Sequence, residues 1–159
     1  MDDKFEKELR REIEDFRSKK ERSLPAEKEP GAYAFIAMPM DPEKLVLEDV
    51  LTAIKAAARA CGIHAERTDD VDTNERRTDR ILASIRLAEY VIVDLTFSRP
   101  NVFFEAGYTH GIGKTPIYIA RYKTKIPFDL NDYPVIFFKN HMRLEADLKK
   151  RFEGLKRIK

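Results

Sequence analysis

Two hydrophobic rhythms alternate along most of this chain. "YAFIAMPM" (33–40) is an unbroken apolar run stopped by Pro39, as expected of a strand covered on both faces. Behind it Leu47, Val50, Leu51, Ile54, Ala58 and Cys61 recur every three or four residues, which predicts a helix ended by Gly62. "IHAERTDD" (63–70) predicts a short second strand, and Ile81, Leu82, Ile85 and Ala88 mark the inner face of a second helix over 74–89. "YVIVDLT" (90–96) is almost wholly apolar and β-branched and predicts a central strand. A third helix opens near Pro100, "PIYIARY" and "YPVIFF" predict strands four and five, and Leu144, Leu148, Phe152 and Leu155 line a closing helix. Strands that alternate with helices predict a parallel, doubly wound α/β sheet, because short right-handed crossovers leave few other topologies.

The first thirty residues follow another pattern. Phe5, Leu9, Ile13 and Phe16 form a thin apolar stripe amid dense mixed charge, which predicts an amphipathic helix. "SLPAEKEPGA" (23–32), with two prolines and a glycine, separates it from the rest. The expected organisation is a charged helical arm and linker over 1–30 and an α/β domain over 31–159. The stripe must pack either on the domain's own flank or on a second subunit, and the second case makes a homodimer or higher homo-oligomer.

Composition removes several classes of function. The 30 Lys and Arg against 28 Asp and Glu leave +2, and the charges are interleaved rather than gathered in a basic stripe, so nucleic acid is not the expected partner. No apolar run approaches the length of a membrane span, and the N-terminus is too charged for a signal peptide, so a cytoplasmic protein with no membrane contact is expected. A single cysteine, Cys61, cannot form an internal disulfide or a thiolate cage, and it falls on a helix stripe. His64, His110 and His141 lack ligand spacing, so no metal is expected.

In a doubly wound sheet the ligand sits beyond the carboxyl ends of the strands. That rule selects Met38, Pro39 and Met40 after strand one, and Arg67, Asp69 and Asp70 after strand two. It adds Asp94, Thr96 and Ser98 at the end of strand three, and Arg121 after strand four. Asn101 and Glu105, four residues apart at the start of the third helix, are expected to lean into the crevice, with Met38 and Phe104 as its walls. Glu105 is conspicuous because its neighbours Val102, Phe103, Phe104 and Ala106 are apolar, and an unpaired buried charge is costly. "GIGKT" (111–115) evokes a phosphate loop, but that motif requires glycine at position 108, which is Tyr, and a place between a strand and a following helix. It reads instead as a helix C-cap and turn.

Over residues 33–138, the segments "YAFIAMPM", "AEYVIVDLT", "RPNVFFEAGYTHGIGKTPIYI" and "PFDL" resemble the nucleoside 2-deoxyribosyltransferase-like proteins, particularly the branch with a TIR-like nucleotide-binding domain. The resemblance implies a flavodoxin-like sandwich with a five-stranded parallel sheet in the order 2-1-3-4-5. It implies cleavage of an N-glycosidic bond, or deoxyribosyl transfer, on a nucleoside, nucleotide or NAD-like molecule, without a cofactor. Glu105 falls on the family's glutamate that attacks or stabilises the anomeric carbon, and Gly107 on its glycine two positions later. Asp94, Asp69 or Asp70 could then supply the proton to the departing base. The family's enzymes carry an aspartate six residues before the glutamate. Here that residue is Arg99, which could meet a phosphate at the helix N-terminus. A nucleotide sensor without turnover and a TIR-type NAD hydrolase are the alternative functions.

Overall fold

In the computed structural model, residues 7–15, 32–67 and 76–158 are described, and the two rhythms resolve into alternating strands and helices. A first helix, α1 (residues 7–15), precedes β1 (Ala32–Ala37), α2 (Val46–Ala60), β2 (Ile63–Glu66) and α3 (Arg77–Leu87). Then come β3 (Tyr90–Asp94), α4 (Pro100–Gly111), β4 (Ile117–Arg121), a 3-10 turn at Phe128–Leu130, β5 (Val135–Phe138) and α5 (His141–Ile158). All neighbouring strands are parallel, in the order β2-β1-β3-β4-β5. This is the flavodoxin-like arrangement expected from the sequence, with helices on both faces of the sheet.

Period-two alternation divides the core into two layers. Ala34, Ile36, Tyr90, Ile92 and Ile119 face α2 and α5, where they meet Val50, Ile54, Leu144, Leu148 and Phe152. Phe35, Ala37, Val91, Val93 and Tyr118 face the other way, against Ile85, Val102 and Ala106 of α3 and α4. The chain leaves β1 toward α2 and leaves β3 toward α4, so it departs to opposite faces from two adjacent strands. A crevice opens between those strands at their carboxyl ends.

The boundaries shift where ladder pairing stops. β1 ends at Ala37, before Met38 and Pro39, and β2 ends at Glu66, opposite Phe35. In α3 the fully buried residues are Ala83, Ser84 and Ile85, while Ile81 and Leu82 are half-buried, as is Leu155 in α5. Cys61 is buried at the C-cap of α2, and Gly62 follows with φ of +70°, as a helix-ending glycine should. In α1, Leu9 and Ile13 are 44% and 43% exposed. Phe5, Phe16 and the linker lie outside the described residues. No described helix is long and apolar enough to cross a membrane.

"GIGK" closes α4 as a Schellman motif. The N–H of Gly113 donates to the Thr-adjacent His110 carbonyl at 3.0 Å and that of Lys114 to Thr109 O at 3.1 Å, with Gly113 at φ of +82°. The lysine has a second task, because its Nζ donates to Ile85 O, Arg86 O and Ala88 O at 2.9, 2.6 and 2.7 Å. These are carbonyls at the end of α3, where a cation also meets the negative end of the helix dipole. The ammonium that mimics a phosphate-loop lysine is therefore engaged in joining α4 to α3. Lys114→Met keeps the stem and removes the charge, and should lower unfolding free energy by about 2–3 kcal/mol in urea titrations, the scale of a charge-assisted bond withdrawn from buried carbonyls.

Candidate active site

Glu105 owes its position to how α4 begins. Arg99 is the extended N-cap residue (φ −74°, ψ 131°) and Pro100 occupies the first helical position, where a missing N–H costs nothing. Asn101 is thus inside the first turn rather than at the cap. One turn later comes Glu105, with only 6% of its surface exposed. Arg99 Nη2 lies 3.7 Å from Asp41 Oδ2, so the start of α4 is tied to the loop after β1. Lys44 Nζ strengthens the same connection from 3.9 Å above the Phe97 ring.

A small cleft at the carboxyl ends of β1 and β2 collects Glu105, Asn101, Met38, Met40, Arg67 and Arg77, with Phe35, Ile36 and Ile81 beneath them. It joins residues from β1, β2, α3 and α4 that are far apart in the chain. Glu105 is the one carboxylate among its described walls, and two guanidinium groups share the space. Arg67 Nε is buried without a hydrogen-bond partner among the described residues. Arg77 Nη2 lies 3.3 Å from Met40 Sδ, across the mouth. The cleft holds about 20 Å³, room for a single water. A nucleotide would require Met40 and Arg77 to part.

Of the residues selected from sequence, Met38, Met40, Arg67, Asn101 and Glu105 meet in this cleft. Pro39 is buried beside it, and Asp69 and Asp70 lie outside the described residues. Phe104 is 55% exposed on the outer side of α4 and is not a wall. Gly107 also faces outward, and a Cβ built on it would meet nothing within 4 Å, so no close helix-to-sheet approach requires glycine there. Ser98 is exposed, with φ of +50°, in a turn closed by its N–H to Leu95 O at 3.2 Å. Arg77 is the wall residue that sequence reading missed. It opens the helix after β2, and the first turn of such a helix faces the same crevice as the strand end, so its position carried the signal.

Asp94 is buried at the end of β3 and does not line the cleft. By alternation with Tyr90 and Ile92 it points toward the α2 and α5 layer. Its Oδ1 accepts from Thr96 N at 3.0 Å and from Thr96 Oγ1 at 2.5 Å, and Thr96 Oγ1 in turn accepts from Arg121 N at 3.1 Å. Oδ2 is buried without a partner among the described residues. Burial pushes the carboxyl pKa up, and the two bonds from Thr96 only partly oppose this. Toward the C-terminal end of α4, away from the cleft, Tyr118 is fully buried on β4, and its hydroxyl lies 2.9 Å from His110 Nε2. Burial, with a smaller contribution from Tyr133, raises its pKa to about 12, so it stays neutral. Among the described residues no group of three His, Cys, Asp or Glu could hold a metal ion.

No family model and no curated protein matches the chain. Among solved structures the chain is similar to the CMP N-glycosidase BcmB of Clostridium botulinum, with a TM-score of 0.61 and 13% identity, over 75% of this chain and 98% of that one. At that identity the likeness is one of fold.

Two substitutions separate local structure from site chemistry. Asp94 has a folded pKa above its unfolded value, so the folded state holds the proton more tightly. Its contribution to stability is therefore greatest at low pH and declines as pH rises through that window. Asp94→Asn does not titrate. Its stability relative to the parent should improve as pH is raised above 4 in urea unfolding, and a flat difference would contradict the raised pKa. Gly107→Ala should raise stability by about 0.5–1 kcal/mol, the cost of a mid-helix glycine, and thermal melting would reveal it.

Proposed function

We propose that this protein cleaves the N-glycosidic bond of a nucleotide, with Glu105 acting on the anomeric carbon. The observation that carries the proposal is a single buried carboxylate set in a cleft with Asn101, Arg67 and Arg77, at the end of the sheet where such folds bind ligands. The similarity to a CMP N-glycosidase and the family resemblance over residues 33–138 support the same chemistry.

Departure of the base leaves positive charge on the ribose. Glu105 either holds that charge or bonds to C1′ as the C1′–N electrons leave with the base. A water oxygen then bonds to C1′ and frees the carboxylate. The base gains one proton, and the products are free base and the hydroxylated sugar phosphate. Arg67 and Arg77 stand on the β2 side of Glu105, away from β4 and β5, where their planar guanidinium donors suit carbonyl and hydroxyl acceptors of the base and ribose. Asp94 serves as a positioning residue, since it holds the loop that leads into α4 rather than the cleft itself. The proton for the base falls to Asp69 or Asp70, which follow Arg67 in the chain.

One observation favours a nucleotide sensor as the second reading: the described walls offer a single carboxylate, with no second one to serve as acid or base. Glu105→Gln separates the two. It keeps the shape and removes the charge, so binding of nucleoside monophosphates should persist or tighten as repulsion of phosphate is relieved. Release of free base should fall by roughly 10²–10³ fold, the scale of losing one preorganised partner of the transition state. Chromatography of parent and variant after incubation with nucleosides, nucleotides and NAD measures both. No base released by the parent, with binding retained, would establish the sensor; nicotinamide as the product would identify an NAD hydrolase.

A further inference from the structure

The charges of this chain are interleaved almost everywhere, but not after β4. From Arg121 to Pro127 the chain carries Arg121, Lys123 and Lys125 without one acid, and the end of β5 adds Lys139. Among the described residues none of these four is paired with a carboxylate. Tyr122 lies at the centre of the group and is 53% exposed. Lys139 Nζ is 4.7 Å from its ring centroid and Lys123 Nζ 6.0 Å, so the ring orders ammonium groups that would otherwise sweep through solvent.

The backbone is built around this cluster. Tyr122 N donates to Phe138 O at 2.8 Å and Thr124 N to Arg121 O at 3.0 Å, which makes a tight turn over residues 121–124 anchored to the end of β5. Lys123 is its third residue, with φ of +72°, where glycine is the usual occupant. A lysine accepts strain there, and strain of this kind gathers at ligand-holding segments. Arg121 N also donates to Thr96 Oγ1, so the turn shares the network that positions α4. β4 and β5 lie two and three strands from β1, about 10–14 Å at roughly 4.8 Å per strand, on the same carboxyl edge as the Glu105 cleft. That separation exceeds the reach of one 5′-phosphate and suits a phosphate chain.

We infer that Arg121, Tyr122, Lys123 and Lys139 form a second subsite for the distal phosphates of a nucleotide carrying two or more, so that the substrate is a nucleoside di- or triphosphate rather than a nucleoside. The inference rests on the reading of Glu105 as the place where the ribose binds. Lysines serve as point charges for phosphate, and the tyrosine ring sets their positions.

Calorimetric titration of the full chain with the mono-, di- and triphosphates of each common ribonucleoside, at one ionic strength, tests it. For the base that binds, the triphosphate should bind at least about tenfold more tightly than the monophosphate. Inorganic tripolyphosphate should compete with it. In K123G/K139Q the ratio should fall toward one. Glycine suits the backbone at 123, so this variant should melt no lower than Lys139→Gln alone, which removes misfolding as an explanation. Equal affinity for mono- and triphosphate, or a preference that survives in the double variant, would overturn the inference. Base release from monophosphates without triphosphate preference would overturn the subsite and leave the hydrolase reading intact. Triphosphate preference with no base released from any nucleotide would do the reverse.

Discussion

One buried carboxylate organises the working edge of this molecule. Asp94 ends the central strand with Oδ1 bonded to the N–H and hydroxyl of Thr96, and the Thr96 hydroxyl accepts from the backbone of Arg121. Two loops that would otherwise move independently are thereby coupled. One runs through Ser98 and Arg99 into α4 and sets where Glu105 stands, and the other turns at Arg121–Thr124. Asp94 is buried with its second oxygen unpaired among the described residues, a desolvation cost that raises its pKa. Structural carboxylates are common, but one that couples two ligand-end loops links local stability to the precision of a site.

The sheet explains why chemistry gathers at that edge. β1, β3 and β4 are covered on both faces, so they present only apolar side chains above and below, and polar groups find room only where the strands end. β1 and β3 send their chains to opposite faces, which leaves a gap filled by Met38, Arg67, Asn101 and Glu105. At the opposite end of α4 the same logic gives a different result. There Gly113 and Lys114 close the helix and anchor α3, so a cation at that end serves packing.

Fold and site were unequally legible in the sequence. The parallel, doubly wound sheet followed from periodicity, because runs such as "YVIVDLT" suit a doubly covered strand, and the strand order followed from the family resemblance. Glu105, Asn101, Met38 and Arg67 followed from the strand-end rule. The rule cannot tell which side of a helix or strand faces the gap. Phe104 therefore looked like a wall but lies on the outer surface of α4, as does Gly107, which only the family resemblance had singled out, and Asp94 points to the other layer. Arg77 was hidden by its charged surroundings, "NERRTDR", where one arginine looks like any other until α3 is placed beside Met40. The three-carbonyl role of Lys114 was equally invisible, since it depends on where α3 stops.

The charge arrangement of the cleft bears on what it can bind. One carboxylate beside two guanidinium groups leaves the described walls with a net charge of +1, so the buried Glu105 carboxylate is not an isolated charge. Under the proposed function, a substrate that drew the arginines toward itself would leave the Glu105 charge more fully available to a developing ribosyl cation. Binding energy gained at the arginines would then be expressed at the anomeric carbon, in the transition state rather than in the ground state. Arg77, 3.3 Å from Met40 Sδ, is at once a wall of the cleft and a charge beside Glu105, so its displacement on ligand entry would also change the field at that carboxylate.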